Sequence, residues 1–109
     1  HALESLTDYR VYRHGEAIAA GMAAAARLAV NRGLQDQADR ERLVALLERT
    51  GLPVTFPYPA GDLLELLSHD KKVLEGRPRF VLPVKIGQAE ICSDLGDEEI
   101  LAALSASLT

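Results

Sequence analysis

His14-Gly15-Glu16-Ala17-Ile18-Ala19-Ala20-Gly21-Met22 places a histidine at the mouth of an alanine-rich helix with two glycines and almost no bulk. As a stand-alone core helix this is poor, because Ala buries little area and Gly in a helix interior costs roughly 1 kcal/mol. It suits a helix packed tightly against its neighbours and holding a polar group at a fixed place. A metal site or a catalytic cleft needs that arrangement. The helical pattern runs from Gly15 to about Arg32, with Ile18, Met22, Ala25, Leu28 and Ala29 on one face. Gly33 stops it, as a glycine after a helix commonly does.

Upstream, His1 to Leu6 reads as the tail of a helix, and Thr7 to Arg13 as a polar and aromatic loop. Downstream, Asp36 is placed to cap a second helix whose apolar stripe is Leu43, Leu46 and Leu47, ended by Gly51 and Pro53. Pro53, Pro57 and Pro59 keep the next segment extended. Gly61 and Asp62 open a short helix through about Ser68. His69-Asp70-Lys71-Lys72 reads as a polar junction and Glu75-Gly76-Arg77-Pro78 as a turn.

Arg79 to Val84 and Gln88 to Ser93 read as two short strands around Lys85-Ile86-Gly87, a hairpin over about 79–93. Pro83 confines the first strand to an edge or to its own end. A last helix runs from about Asp97 to Leu108, with Gly96 at the cap, Glu99 at the third position and Leu95 stapled onto Ile100. The expected fold is mainly α: a multihelical domain with one small β-hairpin.

The 109 residues fit one domain. Aromatics are few and Trp is absent, so the core is expected to be Leu, Ala, Val and Ile. Acids exceed bases by four, so no basic field invites nucleic acid. The longest uncharged apolar run, Ala17 to Ala26, is far short of the ~20 residues that span a bilayer. Cys92 is the single cysteine, which predicts a reducing, cytoplasmic compartment and a buried apolar role for that side chain. The start at His1, with no cap or turn ahead of it, predicts a piece of a longer protein.

His14 is the foremost candidate for chemistry. The positive end of a helix dipole disfavours imidazolium, and a neutral ring can ligate a divalent metal such as zinc. One histidine is not a site, since a catalytic zinc needs about three protein ligands. His1 lies 13 residues earlier, across a loop, and could converge on the same cleft. Glu4 and Glu16 could orient the histidines from behind. Lys71, or Lys72 beside it, could clamp an anion, with His69 and Asp70 orienting it. Each has a plainer reading: a solvated histidine, a frayed terminus, helix-end carboxylates and a surface lysine pair.

These residues resemble the C-terminal domain of 3-dehydroquinate synthase. His1-Ala2-Leu3-Glu4 is similar to the second half of that family's Leu-Gly-His-x-x-Gly-His-Ala-x-Glu signature. The helix from His14 to Met22 is similar to its His-Gly-Glu-Ala-Val-Ala-x-Gly-Met helix. Gly51-Leu52-Pro53, Asp70-Lys71-Lys72 and Arg79 to Pro83 followed by Ile86-Gly87 resemble its later landmarks in order.

The resemblance implies a two-domain enzyme with an N-terminal NAD-binding domain and residues 1–109 as the C-terminal helical domain for metal and substrate. It implies NAD and zinc (or cobalt) as cofactors of the full-length enzyme. The implied reaction closes a seven-carbon keto-sugar acid phosphate to 3-dehydroquinate, eliminating phosphate, in the shikimate pathway. By position it makes His14 a zinc ligand, sets His1 beside substrate in the proton-transfer network, and makes Lys71 a substrate contact.

The family's other metal-binding histidine and glutamate and its NAD site match nothing in this chain. The isolated chain is therefore expected to bind neither zinc tightly nor NAD, and not to turn over. A homodimer of the full-length protein is left open. Two other readings stand beside this one: another sugar-phosphate cyclase, such as 2-deoxy-scyllo-inosose synthase, and a non-catalytic helical interaction module.

Overall fold

The structure is a computed structural model that describes residues 1–73 and 79–108, with side chains described for all of these except 68–73. Among the described residues five helices and one hairpin follow in the order α1 (Ala2–Leu6), α2 (His14–Asn31), α3 (Gln37–Arg49), α4 (Ala60–Val73), β1 (Phe80–Lys85), β2 (Gln88–Cys92) and α5 (Asp97–Ala106). The mainly helical expectation holds, including the hairpin. Helix α2 is the axis of the molecule and packs against α1, α3, β1 and α5.

The glycines end elements where the chain must turn left-handed. Gly33 and Gly51 follow α2 and α3 at φ +80° and +78°, and Gly87 sits in the hairpin turn at φ +89°. Those dihedrals are open to glycine without a Cβ penalty. The Gly96 N–H donates to Glu99 Oε1 at 3.4 Å at the start of α5, and Leu95 and Ile100 are both buried there. In the hairpin Phe80 pairs with Cys92 and Pro83 with Ala89, and the register slips between Pro83 and Lys85. Among the described residues the sheet has only these two strands, so the missing proline N–H breaks no central ladder. Cys92 is half-buried against the core, less enclosed than expected.

Two apolar clusters lie along α2. Toward its C-terminal end, Leu28 and Ala29 meet Leu82, Leu95, Ile100 and Ala103. Toward its N-terminal end, Ala17 and Ala20 meet Leu3, Phe56 and Leu63. The Phe56 N–H donates to the Ser107 carbonyl at 3.1 Å, which ties the extended segment to the end of α5. Tyr12 and Tyr58 pack edge-on beside the second cluster, ring centroids 6.2 Å apart. Burial, then the neighbouring Tyr58 and Glu16, push the Tyr12 phenol above its ordinary pKa.

Three expectations need correction. The buried face of α2 is its alanine face (Ala17, Ala19, Ala20, Ala23, Ala24, Ala26 and Ala29, with Leu28), while Ile18 and Met22 are exposed. Four elements crowd this helix, and close approach selects small side chains over bulky ones. In α3 only Leu47 is buried and Leu46 lies in solvent, because α2 is the main element packed on α3 and one neighbour covers a narrow stripe. Asp36 stands at the N-cap of α3 but its side chain makes no capping bond.

Helix α4 also runs on through the expected junction to Val73. Nothing in Asp70-Lys71-Lys72 breaks a helix, and the next breaker is Gly76. The expected turn at Glu75-Gly76-Arg77-Pro78 lies outside the described residues.

Gly21 is interior to α2 and exposed, and a Cβ built there meets nothing within 4 Å among the described residues. Close packing inside this chain does not explain it. Gly21→Ala is expected to stabilise the domain by up to about 1 kcal/mol, the helix-propensity difference, read as a higher urea midpoint. A lower midpoint would mean that another part of the longer protein sits within contact of Gly21.

Candidate functional site

The chain reverses between α1 and α2 through a strained loop. Asp8 and Tyr9, neither of them glycine, adopt left-handed φ of 52° and 59°, a conformation that costs of order 1 kcal/mol per residue or more. The loop is held by the Tyr9 N–H donating to the Glu4 carbonyl at 2.8 Å and the Thr7 hydroxyl donating to the Leu3 carbonyl at 2.9 Å. Its effect is to lay the start of α2 over α1, so that His14 meets residues ten and thirteen positions earlier.

His14 Nδ1 lies 3.0 Å from Glu4 Oε1. Glu4 is the one buried acidic residue among the described residues, at 8% exposure. An ionised carboxylate only accepts, so the proton of this bond belongs on Nδ1. The Nε2 lone pair then faces away from Glu4, on a ring that is 64% exposed. A carboxylate behind one nitrogen and a free lone pair at the other is the arrangement of a metal-binding histidine. The His1 ring stacks on that of His14, centroids 6.5 Å apart and planes 17° from parallel. Two imidazoles and a carboxylate therefore share one end of α2.

The structure separates the two carboxylates that sequence reasoning had weighed together. Glu4 holds the histidine. Glu16 instead accepts the Arg13 N–H at 2.8 Å and caps α2. Among the described residues no three His, Cys, Asp or Glu side chains gather closely enough to hold a metal by themselves. Lys71 lies in the last turn of α4, and its side chain is outside the described residues, as is that of Lys72.

Beside His1 an apolar groove of about 170 Å³ opens between α1, α2, α4 and α5, lined by His1, Gly21, Ala25, Phe56, Leu63 and Phe80 among others. Sequence reasoning missed it. The signal was Gly21, a glycine in a helix interior for which the described residues give no packing reason. No helix among the described residues is long and apolar enough to cross a membrane.

The family model described as 3-dehydroquinate synthase C-terminal matches residues 1–73, a span that contains His1, Glu4, His14 and Lys71. Over 107 residues, 96% of its length, the chain is 47% identical to the 3-dehydroquinate synthase of Desulforamulus reducens. It is 44% identical over 106 residues to that of a Nostoc species. The chain spans 30% and 29% of those relatives, so it is similar to less than a third of each.

Among solved structures it resembles the 2-epi-5-epi-valiolone synthase of Streptomyces hygroscopicus subsp. jinggangensis, a structure with NAD⁺ and Zn²⁺ bound. The TM-score is 0.80 and the identity 32%, over 89% of this chain and 27% of that one. Sequence match, helical architecture and the histidine–carboxylate pair at the head of α2 agree, and the chain belongs to the 3-dehydroquinate synthase C-terminal domain family.

Proposed function

We propose that this chain is the metal- and substrate-facing domain of a 3-dehydroquinate synthase. The full-length protein converts 3-deoxy-D-arabino-heptulosonate 7-phosphate to 3-dehydroquinate and phosphate, as a carbon–oxygen lyase of aromatic amino-acid biosynthesis in the cytoplasm. The observation that carries the proposal is the Glu4–His14 pair, a buried carboxylate on Nδ1 that leaves Nε2 free. It stands within the residues that match the family.

His14 offers one nitrogen to zinc, and Glu4 fixes its tautomer and ring direction. Bound zinc, or cobalt in its place, supplies Lewis acidity toward a substrate hydroxyl and the ketone derived from it. His1, stacked on His14, stands where it can exchange a proton with a substrate group held beside the metal. Lys71 offers an ammonium to the anionic substrate. The remaining zinc ligands belong to other sequence of the longer protein, the second histidine four residues ahead of His1, and NAD belongs to an N-terminal domain, in keeping with relatives about three times this length. The isolated chain is expected to hold neither cofactor tightly and to be inactive.

Glu4→Gln keeps an acceptor opposite Nδ1 and removes the charge. It is expected to weaken zinc binding by the full-length protein about 10-fold, within the range for groups that orient metal ligands. Competition with a chromophoric chelator reads it.

A second reading, a cyclase of the valiolone-synthase kind, draws on the solved relative at 32% identity. The relatives at 44–47% favour the first. The two part on substrate. The full-length protein is expected to release phosphate from the carboxylate-bearing heptulosonate 7-phosphate and not from sedoheptulose 7-phosphate. The opposite preference would replace the first reading with the second.

A further inference from the structure

The turn that ends α1 closes on the carbonyl of the residue that holds His14. Thr7 is the C-cap of α1. Beyond it the Asp8 N–H donates to the Ser5 carbonyl at 3.2 Å and the Tyr9 N–H to the Glu4 carbonyl at 2.8 Å. This nested pair of bonds is a Schellman motif, whose left-handed position is usually glycine. Here that position is Asp8, at φ 52°, and Tyr9 after it is left-handed as well, at φ 59°. Aspartate tolerates the conformation through its short polar side chain, whereas tyrosine has no such aid.

Packing of the ring does not account for the tyrosine backbone. Tyr9 is 70% exposed. The apolar contact that often accompanies a Schellman motif joins this position to the residue whose carbonyl is bonded, and that residue is Glu4, a carboxylate. What the conformation secures is Glu4 itself. Its carbonyl is bonded by Tyr9 and its carboxylate stands 3.0 Å from His14 Nδ1. The chain from Tyr9 to His14 and these two bonds close one ring, so a change of chain direction at Tyr9 swings His14 away from Glu4. Backbone strain persists where the surroundings over-determine it, and it gathers at functional sites.

We infer that Tyr9 is a positioning residue for the metal site: its left-handed backbone, not its phenol, aims the chain so that Glu4 holds His14. The inference rests on the reading of His14 as a zinc ligand and adds the residue that sets its aim.

Three substitutions separate backbone from ring. Tyr9→Val disfavours the left-handed conformation, while Tyr9→Gly and Tyr9→Asn accept it, and all three remove the phenol. Zinc affinity of the full-length protein and of each variant is measured by chelator competition, well below each thermal midpoint. The valine variant is expected to bind zinc about 10-fold more weakly, as the competent geometry falls to roughly a tenth of the population. The glycine and asparagine variants should stay within about twofold of the native protein. A valine variant that melts lower but keeps native zinc affinity would make the turn merely structural and overturn the inference. Equal losses in all three variants would overturn it as well, by assigning the effect to the ring. A native protein that binds no zinc would instead sink the reading of the site, and the inference with it.

Discussion

Replacing His14 with alanine in the full-length protein is expected to abolish stoichiometric zinc binding and to lower kcat/KM by at least about 1,000-fold, some 4 kcal/mol of transition-state stabilisation. The magnitude follows from the role. A metal ligand is shared by every step that uses the metal, and among the described residues no other imidazole is bonded to Glu4. The fold should survive, since the ring is 64% exposed. One structural cost must be separated from the chemical one, however. Alanine leaves the buried Glu4 carboxylate without its partner, which costs about 1–3 kcal/mol.

His14→Asn removes that ambiguity, because its amide can still donate to Glu4 and cannot stand in for imidazole on zinc. Zinc content, turnover and thermal midpoint are measured on both variants. Both should lose metal and activity, and only the alanine variant should lose several degrees of stability. Retention of zinc and activity in both would instead favour the helical interaction module, in which the histidines are incidental.

The largest effect on folding is expected at Phe56. Its ring is 1% exposed and sits among Leu3, Ala17, Ala20 and Leu63, joining α1, α2 and α4. The alanines around it cannot expand to refill the space, so Phe56→Ala should fall near the upper part of the ~3–5 kcal/mol range for such truncations. Domains of this size are stable by only about 5–15 kcal/mol, so the variant is expected to be partly unfolded at 37 °C. Urea titration of the full-length protein, followed by a probe in this domain, measures the loss. Ile91→Ala, on the open face of the hairpin at 70% exposure, is the control and should move the midpoint by less than about 0.5 kcal/mol. Equal losses at the two positions would contradict the assignment of the core.

The elements that could be read in advance are those whose signals are local. Gly33 and Gly51 announced the ends of α2 and α3, and Gly87 the hairpin turn, from composition and place alone. Gly96 with Glu99 announced the start of α5. The faces of the helices were less legible, because burial depends on how many neighbours crowd an element. Bulk suggested that Ile18 and Met22 face inward, whereas four neighbours packed against α2 select its alanines. The end of α4 was read too early because Asp70-Lys71-Lys72 is charged, and charge does not stop a helix.

The candidate site divides in the same way. His14, His1 and Glu4 stood out as residues and by resemblance. That Glu4, and not Glu16, meets His14 depends on a loop in which Asp8 and Tyr9 take positive φ. Tyrosine carries little advance sign of that conformation. The apolar groove depends on four helices at once, and only the unexplained Gly21 hinted at it.

The central claim is that His14 binds metal through Nε2 while Glu4 holds Nδ1–H. Nitrogen-15 NMR of the imidazole rings in the full-length protein, recorded as zinc is added, tests it atom by atom. The account predicts that at one equivalent of zinc the His14 Nε2 signal moves to the range of a metal-coordinated nitrogen, while Nδ1 stays protonated, and that Glu4→Gln weakens the titration. A His14 ring whose two nitrogens do not respond to zinc, in a protein that binds zinc and turns over, would contradict it.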